Sequence, residues 1–342
     1  MKSDIRIIFL LLALLMIVSC KKEETVINPG LDGIFIDAGK NKNLRCLIVF
    51  KNDQIIKEKY FVGDSSTAHD VRSVTKSIMS ALVGIAIDKG IISSENNTIG
   101  DYMRNYVVTI DPVKANIKIS ELLSMTSGIS GNELSNPEEY NNWFNAANQF
   151  SYTVNKPMDS SPGQIFNYNS GSAHLISGIL TQAAGNPVIE FAKDNLFQPI
   201  GIRDPYWQKD KQGFYNGSAG LQLTPSDMLK FAKLILNKGT CNGVRIVSEE
   251  WINKSTSLKI STNGIQPFGP GYGYLWWTGN TDNHDYFFAN GFGGQFIVIV
   301  PDIKLIVIAT NTWSGVPFTT ASEQWYSTLD MIINKIIPIC QP

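Results

Sequence analysis

Ser73-Val74-Thr75-Lys76 sets a hydroxyl and an amine three residues apart, which on a helix puts both side chains on one face. The stretch that follows, Ser77 to Ile87, carries no charged residue, so a helix here is apolar nearly all round and belongs inside the protein. A lysine at the head of such a helix is desolvated. Burial disfavours its ammonium form, lowers its pKa and makes the amine a base beside the serine. Ser73 would also stand where the free backbone N–H groups of a helix start point outward. The competing assignment makes Ser73 a simple helix cap and lets Lys76 snorkel its amine to water. Ser19 and Lys22 repeat the same spacing, so the rest of the chain has to decide.

Other routes to hydrolysis lack their parts. A serine triad needs an oriented histidine, and the chain has only His69, His174 and His284, with no Gly-x-Ser-x-Gly elbow. His69 lies one turn before Ser73 but upstream of the helix, and reads as structural. There is no His-Glu-x-x-His and no Cys-x-x-Cys. The glycine groups at 269–273 and 291–294 lack the strand, helix and acidic residue of a dinucleotide or phosphate site and read as turns, so no cofactor is called for. Lysine, tyrosine or both remain as the base.

The elements that must position these residues are legible in outline. With 43% hydrophobic and 17% charged residues over 342, the chain is globular rather than disordered and long enough for one large or two moderate domains. A net charge of −1 with scattered basic residues leaves no footprint for nucleic acid. Residues 44–50 and 54–61 are β-rich and separated by Lys51-Asn52-Asp53, a hairpin signal. Helical patterns cover 173–183, 188–196, 226–236 behind Pro225, and 249–253 behind Ser248. Strands are expected at 285–288, 295–300 and 305–309, and a closing amphipathic helix at 322–337. The spacing therefore predicts a sheet domain from 37–72 and 281–342, with a mainly helical domain, 73–280, inserted between.

Lys2 and Arg6 precede an apolar run, Ile7 to Val18, too short to span a bilayer comfortably and ending Ser19-Cys20. That ending resembles the lipobox of bacterial lipoproteins. It implies a leader over 1–19, lipidation at Cys20, a polar tether over 20–36 and an exported protein held at a membrane. Cys46, Cys241 and Cys340 then remain, enough for at most one internal disulfide.

Six ordered segments carry a further resemblance. They are Arg72-Ser-Val-Thr-Lys-Ser77, Leu122-Leu-Ser-Met-Thr-Ser-Gly128, Pro162 through Tyr168-Asn-Ser170-Gly171, the pair Ser218–Asp227 and Tyr272–Trp277, and Ala289-Asn290-Gly291-Phe292-Gly-Gly-Gln295. From about Leu44 to Ala309 the chain resembles the β-lactamase-like serine hydrolases, a family that includes class C β-lactamases, D-alanyl-D-alanine peptidases, carboxylesterases and nylon-oligomer hydrolases. The resemblance implies an α/β plus all-α architecture: an antiparallel sheet flanked by terminal helices, a helical domain, and a cleft between them.

Carried over residue by residue, it implies Ser73 as nucleophile, Lys76 as its neighbour and Tyr168 as proton shuttle, with a phenolate favoured beside an ammonium. The backbone N–H groups of Ser73 and Phe292 would form an oxyanion hole, and Ser170, Ala289, Asn290, Gly291 and Gln295 would meet substrate. Two positions depart from the family pattern. Ser170 stands where the second motif usually has asparagine, and Ala289 where the third usually has a lysine or histidine. The second departure removes the cation that would pair a substrate carboxylate. Both look like the esterase and nylon-oligomer-hydrolase branch, acting on an ester or amide, with β-lactamase or D-alanyl-D-alanine peptidase activity and a non-catalytic penicillin-binding or wall-binding sensor as the alternatives.

Overall fold

A computed structural model describes residues 29–281 and 283–341. The leader and Cys20 lie outside the described residues. An eight-stranded sheet runs in the order 54–60, 44–51, 305–311, 295–300, 285–291, 277–280, 271–272, 260–261, antiparallel throughout. The first strand therefore pairs with the last, Ile48 opposite Ile308, and the chain closes its sheet only after the helical region has been made. The Asn52-Asp53 turn joins the first two strands with φ of 49° and 65°, the left-handed conformation that asparagine and aspartate tolerate best after glycine.

Strands Gln295–Val300 and Leu305–Asn311 are buried at every position. Their sequences run apolar without alternation because both faces of the sheet are covered. The helix Pro225–Leu236 lies against them, started by a capping box in which Thr224 and Asp227 satisfy each other's backbone N–H groups.

The helix Val74–Asp88 is buried from Val74 to Ala86, as its apolar sequence demands. Gly84 is required there: a Cβ would sit 2.2 Å from the Trp251 ring, which reaches in to donate its indole N–H to the Ser80 carbonyl. The helix Ser170–Ala184 packs beside it, capped by Asn169 and closed by Gly185 in the left-handed conformation.

Two boundaries differ from the sequence expectation. The sheet begins at Ile260, not 281, because its last three strands are short and interrupted by Gly and Pro. The tether ends before Pro29: Pro29–Ala38 is a helix whose Leu31 and Phe35 are buried in the core. Cys46, Cys241 and Cys340 are free thiols. Among the described residues no helix is long and apolar enough to cross a membrane.

Candidate active site

Ser73 stands at the N-cap of the buried helix but makes no side-chain capping bond. Its Oγ lies 3.0 Å from Lys76 Nζ instead. Lys76 is 1% exposed, so its amine does not snorkel. Nζ also lies 3.1 Å from Ser170 Oγ and 3.1 Å from the Ser218 carbonyl oxygen, and 4.9 Å above the ring of Tyr168. Burial pushes the Lys76 ammonium down to about 8; Glu133 pulls it back up and Arg72 pushes it further down.

The backbone that presents Ser73 is held under strain. Arg72, the preceding residue, has φ of 51°, a conformation that non-glycine residues adopt only when their surroundings impose it. Here Asp70 accepts the Arg72 N–H at 2.7 Å and pairs the guanidinium at 3.4 Å, while the guanidinium stacks 4.4 Å from the Trp313 ring centre and 5.3 Å from that of Tyr140. On the far side, the strand Asp285–Gly291 ends against Val71, and Phe292, which follows it, lines the same cleft as Ser73. Neither the Ser73 nor the Phe292 N–H donates to an acceptor among the described residues. Two N–H groups without a protein acceptor at one cleft are what a developing oxyanion requires.

The cleft has a volume of about 550 Å³. Aromatic rings dominate its wall, among them Tyr140, Tyr168, Trp277, Phe292, Trp313 and Trp325. Tyr168 enters just before the helix that begins at Ser170 and is 8% exposed. Burial pushes its phenol well above the ordinary tyrosine range; a hydrogen bond with Ser73 opposes this and the Glu133 charge reinforces it. The phenolate expected from the sequence is thus disfavoured: desolvation outweighs the nearby cation, and the group holds its proton.

The structure corrects three of the substrate contacts expected from the sequence. Ala289 is 1% exposed and outside the cleft wall. Gln295 is fully buried and spends its amide on the Asn311 backbone, holding two strands together. Ser170 is 1% exposed and faces Lys76 and a carboxylate, not the cleft. Gly291 acts by close approach to Val71. Asn290 does line the cleft, with its Oδ1 accepting the Trp325 indole N–H at 2.6 Å. His69 accepts from Arg45 Nε at 3.0 Å and takes no place in the cleft wall.

Sequence reasoning missed Glu133. Its carboxylate accepts the Ser170 N–H at 2.6 Å and the Ser170 O–H at 2.8 Å, and its own N–H donates to the Tyr168 carbonyl. Burial pushes this carboxyl above its usual range while Lys76 and Ser170 hold it down. Glu133 sits on a loop with no periodic pattern around it, 37 residues before Ser170, so no local signal marks it. Arg72 was legible only as the residue ahead of the nucleophile. Among the described residues no cluster of three or more His, Cys, Asp or Glu is arranged to hold a metal.

The sequence signature of the β-lactamase family matches residues 46–326. The chain belongs to the β-lactamase family. This β-lactamase-family chain is 21% identical over 290 residues to the 6-aminohexanoate-dimer hydrolase of Paenarthrobacter ureafaciens, covering 78% of this chain and 72% of that one. In fold it is similar to a penicillin binding protein from Bacillus halodurans, with a TM-score of 0.66 at 16% identity, over 89% of this chain and 100% of the other. It is similar also to EstCE1, described as a hydrolase with promiscuous acyltransferase activity, with a TM-score of 0.69 at 15% identity, over 87% and 98%.

Proposed function

We propose that this member of the β-lactamase family is a serine hydrolase that cleaves an uncharged ester or amide through an acyl-enzyme on Ser73. The observation that carries the reading is the Lys76 amine, buried and 3.0 Å from a serine hydroxyl that opens onto the cleft. Ser73 Oγ attacks the substrate carbonyl carbon as its proton passes to Lys76 Nζ, and the carbonyl oxygen becomes an oxyanion facing the Ser73 and Phe292 N–H groups. When the tetrahedral intermediate collapses, the Tyr168 phenol gives its proton to the leaving oxygen or nitrogen and regains one from Lys76. Water then repeats the attack on the acyl ester, with the proton transfers reversed.

Charge at the cleft supports an uncharged substrate. Arg72 is the cation in its wall and is already paired with Asp70. An anionic substrate would find no free partner there, and an unpaired buried charge is costly. Aromatic walls favour an apolar acyl or leaving group. The likeness to a 6-aminohexanoate-dimer hydrolase is in keeping with hydrolysis of such a bond. With Cys20 lipidated, the enzyme would work at a membrane surface outside the cytoplasm.

The experiment compares kcat/KM for p-nitrophenyl butyrate and nitrocefin on the purified mature protein. Faster turnover of the ester is expected. A preference for nitrocefin would contradict the substrate assignment, and acylation by a penicillin probe without turnover of any ester, amide or β-lactam would favour a sensor.

A further inference from the structure

We infer that Glu133, acting through Ser170, is a positioning residue that aims the lone pair of the Lys76 amine at Ser73. The inference rests on the proposed role of Ser73 and Lys76 and follows from counting protons along one chain of contacts. An ionised carboxylate only accepts hydrogen bonds. Glu133 takes both the N–H of Ser170 and its single hydroxyl proton, at 2.6 and 2.8 Å. With that proton spent, Ser170 Oγ can only accept from Lys76, 3.1 Å away. The Ser218 carbonyl oxygen, also 3.1 Å from Nζ, likewise only accepts.

A neutral amine has two N–H bonds and one lone pair. Both N–H bonds are claimed, by Ser170 and Ser218, and the remaining partner is Ser73 Oγ at 3.0 Å. The lone pair must therefore face the nucleophile, and Ser73 donates to it. Remove Glu133 and the Ser170 hydroxyl is free to turn its proton toward Lys76. The amine can then spend its lone pair on Ser170 and meet Ser73 with an N–H, the wrong direction for proton abstraction. Ser170, where the family usually has asparagine, thus has a partner suited to a hydroxyl.

Three groups bear on the Lys76 charge: Glu133 from its loop, Arg72 from the turn before the helix, and Tyr168 from the segment before Ser170. Glu133 favours the ammonium and Arg72 opposes it. Glu133 therefore does two separable things. It orients the neutral amine, and its charge, acting against burial, raises the pH at which that amine appears.

The test uses an uncharged fluorophosphonate probe, which needs no knowledge of the substrate. Ser73 Oγ forms a bond to phosphorus, fluoride leaves, and the serine proton goes to Lys76. The second-order labelling rate is followed from pH 5 to 10 on the full mature protein. Wild type is expected to rise with pH to a plateau. Glu133→Gln should lower the plateau by about tenfold to a hundredfold through misorientation and move the midpoint down by about one unit or more, because a charge that stabilises the ammonium is gone. Ser170→Ala keeps that charge and should lower the plateau with little movement of the midpoint. A lowered plateau with an unmoved midpoint in Glu133→Gln would mean a merely structural role and overturn the inference, as would wild-type labelling by Ser170→Ala. Should Glu133→Gln not fold, the Ser170→Ala plateau decides alone. Labelling that persists in Ser73→Ala would instead remove the underlying reading.

Discussion

Gly291 packs so closely on Val71 that a β-carbon at Gly291 would stand 2.4 Å from the Val71 carbonyl oxygen. This contact sets the distance between the two halves of the proposed oxyanion site, because Val71 leads into Arg72-Ser73 and Gly291 leads into Phe292. Gly291→Ala is expected to push the strand tip away, at about 1–3 kcal/mol in stability. A displaced donor should also cost about a hundredfold or more in ester hydrolysis. The loss should exceed what thermal denaturation explains: a variant folded at assay temperature but nearly inactive is the expected result, and one with wild-type turnover would show that Phe292 N–H takes no part.

In the proposed mechanism Lys76 and Tyr168 exchange one proton, so their contributions would not be independent. Lys76→Ala and Tyr168→Phe should each reduce kcat by about 10²- to 10⁴-fold. The double variant should be scarcely worse than the poorer single one, since groups acting as a unit are strongly non-additive. Multiplicative losses in a double-mutant cycle would separate the two roles, and near-full rate in Lys76→Ala would move the base elsewhere.

His174 supplies a pH-dependent support for the segment that carries Ser218. Its Nδ1 accepts the Gly217 N–H at 3.1 Å and its Nε2–H donates to Asp210 at 3.1 Å, so the fold holds the neutral ring. Protonation would turn a second N–H against the Gly217 donor. Burial, against the opposing Asp210 carboxylate, depresses the His174 pKa below its ordinary value. The sign follows: below about pH 6.5 the unfolded chain binds a proton that the folded chain refuses, so stability present above that pH is lost as pH falls. The melting temperature should drop between pH 7.5 and 5, and His174→Gln, although less stable at pH 7.5, should show a shallower drop. An equal slope in the variant would place the acid sensitivity elsewhere. Gly217 adjoins Ser218, whose carbonyl accepts from Lys76, so activity should decline over the same range.

Much of this fold is legible in the amino-acid sequence, and the exceptions have physical causes. The buried helix, the Asn52-Asp53 hairpin and the strands near 295–300 and 305–309 carry strong periodic or turn signals, and tertiary packing agrees with them. The two-residue strands at Ile260 and Gly271 carry no such signal, because their pairing partners define them. Ala289 and Asn290 are neighbours on one strand and so face opposite ways. Alternation limits the cleft to one of the two, and the fold makes it Asn290. Glu133 stayed hidden for another reason: its partner is far along the chain, and a carboxylate on a polar loop looks solvated until the fold buries it.

The proposed mechanism turns on Ser73 as the nucleophile. Its most direct measurement is intact-protein and peptide mass spectrometry after reaction with a fluorophosphonate, on wild type and Ser73→Ala, with ester turnover measured on the same samples. One adduct on Ser73 is expected in the wild type, with no adduct and no turnover in Ser73→Ala and a thermal transition nearly unchanged, since the Ser73 hydroxyl makes no capping bond. An adduct on another residue, or turnover that survives in Ser73→Ala, would contradict the account.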